Sequence, residues 1–198
     1  MSRLALGVLL WSVVHFFPAI FANLKTRTLE RIGEYPYKGV FTLVMVVAIY
    51  LIISGWQSLS PAEGEVLELI FTPPEWGVHA AGVLTLIGFV LFLAPYPPNN
   101  IKRALRHPQL IGVVCWGVGH LAAIGTERGI VLFAGLSIWA ILEILLINKR
   151  DGEWVRPDRV PLKRDLAMVA FSVLVFMVFL YTHHLLFGGS PLTEPGQI

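Results

Sequence analysis

Six blocks of apolar residues, at 4–22, 39–56, 79–94, 108–125, 129–147 and 166–187, constrain this chain more than any other feature. Crossing about 30 Å of hydrocarbon takes roughly 20 consecutive, mostly apolar residues in a helix, which satisfies its own backbone where no water is at hand. Each block approaches that length, the third being the shortest. Only 14% of the residues are charged, 56% are hydrophobic, and the mean hydropathy is +0.70. A soluble domain of 198 residues needs far more polar surface. The expected fold class is all-α: a polytopic transmembrane bundle of about six helices forming one domain over the whole chain, with almost nothing outside the bilayer.

The first block has the position of a secretory signal peptide but not its build. Its leading region holds a single basic residue, Arg3, and His15 and Pro18 interrupt the apolar run. Bulky residues fill the place where a small-x-small cleavage site would sit. It reads as a retained helix.

Charge sets the expected orientation. The first connection holds Lys25, Arg27, Arg31 and Lys38, the third Lys102, Arg103 and Arg106, and the fifth Lys149, Arg150, Arg156, Arg159, Lys163 and Arg164. All but two of the 15 basic residues therefore fall in alternate loops. The second connection has glutamates and no Lys or Arg, the fourth has only Arg128, and the tail from Gly188 has none. Basic loops stay on the cytoplasmic side, so both termini are expected outside and the odd connections inside. The net charge of +2 is thus a topology signal and gives no reason to expect nucleic acid. A lone cysteine, Cys115, excludes an internal disulfide framework. Lys25–Glu34 is expected to extend a helix past the bilayer, 63–71 to lie on the outer surface, Pro95–Asn100 to form a rigid turn, and Trp154 to rest in the headgroup layer.

One motif occurs twice. Residues 7–15 and 112–120 both read G-V-x-x-W-x-V-x-H. The first copy runs outside to inside and the second inside to outside, the arrangement of a three-plus-three inverted repeat with its axis in the membrane plane. His15 and His120 lie about 11 and 12 residues from their helix ends, which puts both near the bilayer midplane at about 1.5 Å per residue. Such a repeat would bring them to a shared central site. No comparable match joins the other helices.

An ionisable residue at that depth is costly and points to function. Residues i and i+4 share a helix face, so Gly7, Trp11 and His15 form one stripe and Gly112, Trp116 and His120 form another. Two neutral imidazoles can hold haem iron from both sides. Glycine would leave a slot for a flat ring, tryptophan an apolar wall, and Gly117 and Gly119 would allow close approach to His120. Arg103 and Arg106 stand at the cytoplasmic mouth, where they would pair with haem propionates. The plainer reading makes each histidine a hydrogen-bonding joint between helices, and the arginines topology and headgroup residues. His79, His183 and His184 fall near outer helix ends and read first as structural, with an outer-side metal site as the other reading. Pro108 fits a first helical position after His107, and Glu143 should face the bundle interior. No phosphate loop, paired-cysteine, zinc-protease or serine-elbow motif is present.

Arg106-His107-Pro108-Gln109-Leu110-Ile111-Gly112, followed by Trp116-Gly117-Val118-Gly119-His120-Leu121, resembles the signature of the NnrU family. His15-Phe16-Phe17-Pro18 is similar to that family's first helix, and the resemblance covers nearly the whole chain. It implies a bacterial inner-membrane protein associated with nitrite and nitric oxide reduction, related to the 15-cis-zeta-carotene isomerase of plants and cyanobacteria. That isomerase uses haem b, and its two ligand histidines look equivalent to His15 and His120. It has a cysteine three positions before the second histidine, where this chain has Gly117, so chemistry needing that thiol is not implied. The substrate implied is a membrane-soluble or gaseous small molecule. Two alternatives stay open. Arg106-His107-Pro108 also resembles the S-adenosylmethionine site of membrane methyltransferases, although their paired glutamates are missing from 148–154. A transporter or purely structural membrane protein would need no cofactor and would give Glu143 a water-accessible path.

Overall fold

The computed structural model describes residues 1–60 and 67–187. Among these the backbone is all-helical, apart from its connections and one isolated antiparallel bridge between Leu69 and Thr126. The elements are α1 (Ser2–Ile20), α2 (Ala22–Ile32), α3 (Glu34–Gln57), α4 (Gly77–Leu93), the single turn α5 (Ile101–Ala104), α6 (Pro108–Ala123), α7 (Glu127–Gly129), α8 (Gly135–Asp151) and α9 (Leu162–Phe187). A five-residue π-helical turn, Ile130–Ala134, joins α7 to α8. Every apolar block is thus a helix.

Four stretches are long and apolar enough to cross a membrane: α1, α3, the run Glu127–Asp151, and α9. The helices α4 and α6 are apolar but have 17 and 16 residues. At about 1.5 Å per residue they span roughly 25 Å, a few ångströms short of the hydrocarbon layer. Large apolar side chains, among them Leu43, Val83, Leu145 and Leu174, point out of the protein along these helices. A water-soluble chain does not present such surface, and the four long apolar helices mark a membrane protein.

The chain divides into two compact units, residues 1–67 with 142–152 and residues 68–141 with 153–198. In the first, α1 packs along α3 at two glycines. A Cβ on Gly7 would stand 2.7 Å from the Ile52 nitrogen, and one on Gly55 would stand 2.5 Å from the Leu4 nitrogen. Small residues let backbones approach in this way where lipid supplies no hydrophobic drive between helices. Pro18 sits in the last turn of α1, which breaks at Phe21, and α2 then carries the basic residues of the first connection. Gly33, at φ +85°, turns the chain into α3. The Arg150 guanidinium at the end of α8 donates to the Pro18 carbonyl at 3.3 Å.

In the second unit α4 and α6 run antiparallel. Gly88 meets Gly112, Ala81 and Leu84 meet Gly119, and Gly77 meets the Ala122 carbonyl. Phe89 packs against Phe176 and Phe179 of α9. The third connection meets the fifth, since Asn100 bonds both Val160 and Asp165. The second meets the fourth, where Ile70 N–H donates to the Gly125 carbonyl at 2.8 Å. The expected surface segment 63–71 lies partly outside the described residues, and the tail from Gly188 lies wholly outside them. Arg128, the one basic residue of the fourth connection, is buried at 9% exposure.

The two motif helices have different main neighbours. α1 packs along the helix that follows it, whereas α6 packs along the helix that precedes it and meets the fifth block at the π turn and at Ser137.

Candidate functional site

The two copies of the motif share one local construction. In each, the histidine Nδ1 lies 2.9 Å from the carbonyl oxygen one turn back, that of Trp11 for His15 and that of Trp116 for His120. A carbonyl only accepts, so Nδ1 must carry the proton and donate it. In the neutral ring that makes Nε2 the nitrogen with the lone pair. A metal-ligating histidine is oriented in the same manner, by donating its other N–H to a carbonyl or carboxylate. Both imidazoles are half-buried.

The tryptophan of each stripe leans on its histidine. The ring centroids are 4.5 Å apart for Trp11 and His15 and 5.1 Å for Trp116 and His120. A phenylalanine from a neighbouring helix completes each set. Phe41 of α3 meets His15 edge-on at 5.5 Å, and Phe133 stacks on His120 at 4.6 Å with an interplanar angle of 22°. Phe133 also meets Trp116 edge-on at 4.9 Å. It lies in the π turn, and such turns are frequent at functional sites because the extra residue re-aims its neighbours. Neither phenylalanine is marked in the sequence, since a phenylalanine inside an apolar block looks like any other.

The glycines have another use than the slot expected of them. The space beside Gly7 is filled by Ala48 and Ile52 of α3, and that beside Gly112 by the Gly88 carbonyl and the Phe92 nitrogen of α4. Gly117 admits the Phe133 carbonyl and the Ser137 hydroxyl, both of which would collide with a Cβ at that position. Gly119 admits Ala81 and Leu84. The close approach expected around His120 is therefore made by protein. What it achieves is to bring the π turn against α6 and set the Phe133 ring on the imidazole.

Arg103 donates to the Pro157 carbonyl at 3.1 Å, so its guanidinium is engaged with the fifth connection. Arg106 is half-exposed and stands just before His107, the residue that precedes Pro108 at the first position of α6. His183 of α9, read from the sequence as an outlying structural residue, is half-buried. His79 and His184 are exposed. Glu143 is buried in α8 at 7% exposure, as a carboxyl facing the protein interior would be, and its Oε2 has no hydrogen-bond partner among the described residues. Cys115 is half-buried on α6. No group of three or more metal-ligating side chains occurs among the described residues. Each imidazole taken by itself, with Nδ1 anchored on a carbonyl, presents the kind of donor nitrogen that haem iron takes.

A family model described as NnrU protein matches residues 3–191, nearly the whole chain. No similar chain is found among curated proteins or among solved structures.

Proposed function

The chain belongs to the NnrU family, and from that premise we propose that it is a membrane protein of six crossings that binds haem b, whose iron His15 and His120 would hold. One observation carries the reading. Two histidines in matching motifs, one in each compact unit, have the same tautomer set by the same carbonyl bond. A histidine that merely joins helices has no need for Nε2 to be the lone-pair nitrogen, and the same choice made twice favours coordination.

The residues around each imidazole have separate tasks in this reading. The Trp11 and Trp116 carbonyls hold Nδ1–H and fix ring rotation. Their indole rings, with Phe41 and Phe133, keep water from the imidazole faces and pin the ring planes. Gly112 keeps α6 seated on α4, so that the His120 backbone is held by a packed pair. Bound haem supplies a redox-active iron with Lewis-acid character. Arg103 and Arg106 would face its propionates, with Arg103 steadied by its bond to the Pro157 carbonyl. The chemistry would be redox or isomerase-like, on a membrane-soluble or gaseous small molecule. Its setting would be the bacterial inner membrane, in support of nitrite or nitric oxide reduction, with both termini on the periplasmic side.

The test is an absorption spectrum of the protein purified in detergent from haem-replete cells. A Soret band is expected, and it should be lost in His15→Ala and in His120→Ala. Colourless wild-type protein refutes the reading, as does a band that survives both substitutions. Thiol reactivity of Cys115 in each variant shows whether α6 remains folded when colour is lost.

A further inference from the structure

The third and fifth connections of the second unit are built as one rigid basic face. Asn100 is its keystone. Its backbone N–H donates to Asp165 Oδ1 at 2.6 Å, and its side-chain amide donates to Asp165 Oδ2 and, at 2.8 Å, to the Val160 carbonyl. Its side-chain oxygen accepts from Val160 N–H at 3.0 Å. Asn99, 2% exposed, closes the turn from below by donating to the Ala94 and Pro97 carbonyls and accepting from Lys102 N–H. Every polar group of both asparagine side chains is satisfied, so this is a fixed joint.

The joint gathers charge of one sign. Asp165 is spent on Asn100, which leaves Lys102, Arg103, Arg156, Arg159, Lys163 and Arg164 around it against Glu153 and Asp158. All six are exposed or half-exposed. Among them stand apolar groups that a soluble loop would hide. Val155 is 89% exposed and Leu162 68%, and Trp154 lies beneath the Arg156 guanidinium at 5.3 Å. Leu162 opens α9, a membrane span, so the face sits at the edge of the hydrocarbon.

We propose that this face is a binding site for anionic phospholipid headgroups. Arg156, Arg159, Lys163 and Arg164 contact the phosphates, and Trp154, Val155 and Leu162 enter the acyl boundary. Cations alone would suit a soluble anionic partner equally well. Cations interleaved with outward valine and leucine, beside a half-buried tryptophan, at the mouth of a span suit an interface that is charged on one side and apolar on the other. The proposal is independent of the haem reading.

The test uses the full-length protein in neutral detergent, titrated with phosphatidylglycerol or phosphatidylcholine and read by native mass spectrometry. Phosphatidylglycerol should be retained in preference. The Arg156→Gln/Arg159→Gln double variant should weaken its retention by about tenfold or more, since each cation near an anionic surface contributes measurably. Lys25→Gln/Arg27→Gln, with the same change of charge in the first connection, should leave retention within about twofold. Asn100→Ala should weaken retention with every cation still present. Brominated phosphatidylglycerol should quench tryptophan emission less in Trp154→Phe than in the parent. Equal retention of the two lipids overturns the proposal, as does an equal loss in both charge variants. Displacement of the lipid by millimolar inorganic phosphate would identify a free-anion site and overturn it too.

Discussion

Gly112→Ala tests the seam on which the His120 helix rests. The added Cβ would stand 2.7 Å from the Gly88 carbonyl oxygen, 3.0 Å from the Phe92 nitrogen and 3.2 Å from Leu91 Cβ. Ordinary contact begins near 3.4 Å. Two of the three atoms are backbone, so no rotamer change relieves the clash, and α4 must move away from α6 by several tenths of an ångström. Overpacking of this kind costs about 1–3 kcal/mol. The alanine returns up to about 1 kcal/mol of helix propensity. The clash wins, because separating the helices also loosens the neighbouring contacts at Gly119 and Gly77, and a net loss of about 1–2 kcal/mol follows. For a chain of this length that lowers Tm by roughly 2–8 °C. Cys115, the sole cysteine, lies on α6 within one turn of Gly112 and reports the loss directly. A thiol-reactive fluorogenic dye should develop its signal at lower temperature in the variant. Gly82 on α4 is the control, since a Cβ there meets nothing within 4 Å, and Gly82→Ala should be neutral or slightly stabilising. Indistinguishable melting of the two variants would falsify the close crossing of α4 and α6.

Further outcomes follow from the same geometry. Ser137 is buried with its hydroxyl lacking a partner among the described residues, so Ser137→Ala should be neutral or raise stability by up to about 1–2 kcal/mol in the same thermal assay. Asp165→Ala removes the acceptor of two Asn100 donors and should cost about 1–3 kcal/mol, with faster tryptic cleavage at Arg159 as the local readout. Phe133→Leu should shift the Soret band or the midpoint potential of the haem-loaded protein, and Phe133→Tyr should restore them; unchanged values in Phe133→Leu would show that the stacked ring does not position His120.

The apolar blocks were legible because hydrocarbon imposes a length and composition that no soluble helix must meet. The Trp-His stripes were legible for a similar reason: i,i+4 spacing is enough to predict that Trp11 lies over His15 and Trp116 over His120. Other features depend on partners far along the chain. Asn99-Asn100 reads as a turn, and nothing nearby shows that Asn100 will bond Val160 and Asp165, more than 50 residues on. Gly7 and Gly112 show the limit of local reasoning most clearly. A glycine next to a candidate site announces close approach, but not what approaches, and here it is a neighbouring helix in both cases. Phe133 and the π turn were hidden because a one-residue widening of a helix leaves no mark in an apolar run.

The π turn at Ile130–Ala134 carries one more residue than an α-helical path between the same ends would need. That surplus residue is slack in the register. Deleting a single residue there would let the span continue as an unbroken α-helix, hydrogen-bonded throughout and still apolar. Everything on the amino side would then rotate by about 100° relative to α8, carrying the Phe133 ring away from His120. A helix of normal length and stability would remain, with the imidazole's neighbour facing elsewhere. The most ordinary-looking span in the chain is therefore the one whose phase matters most.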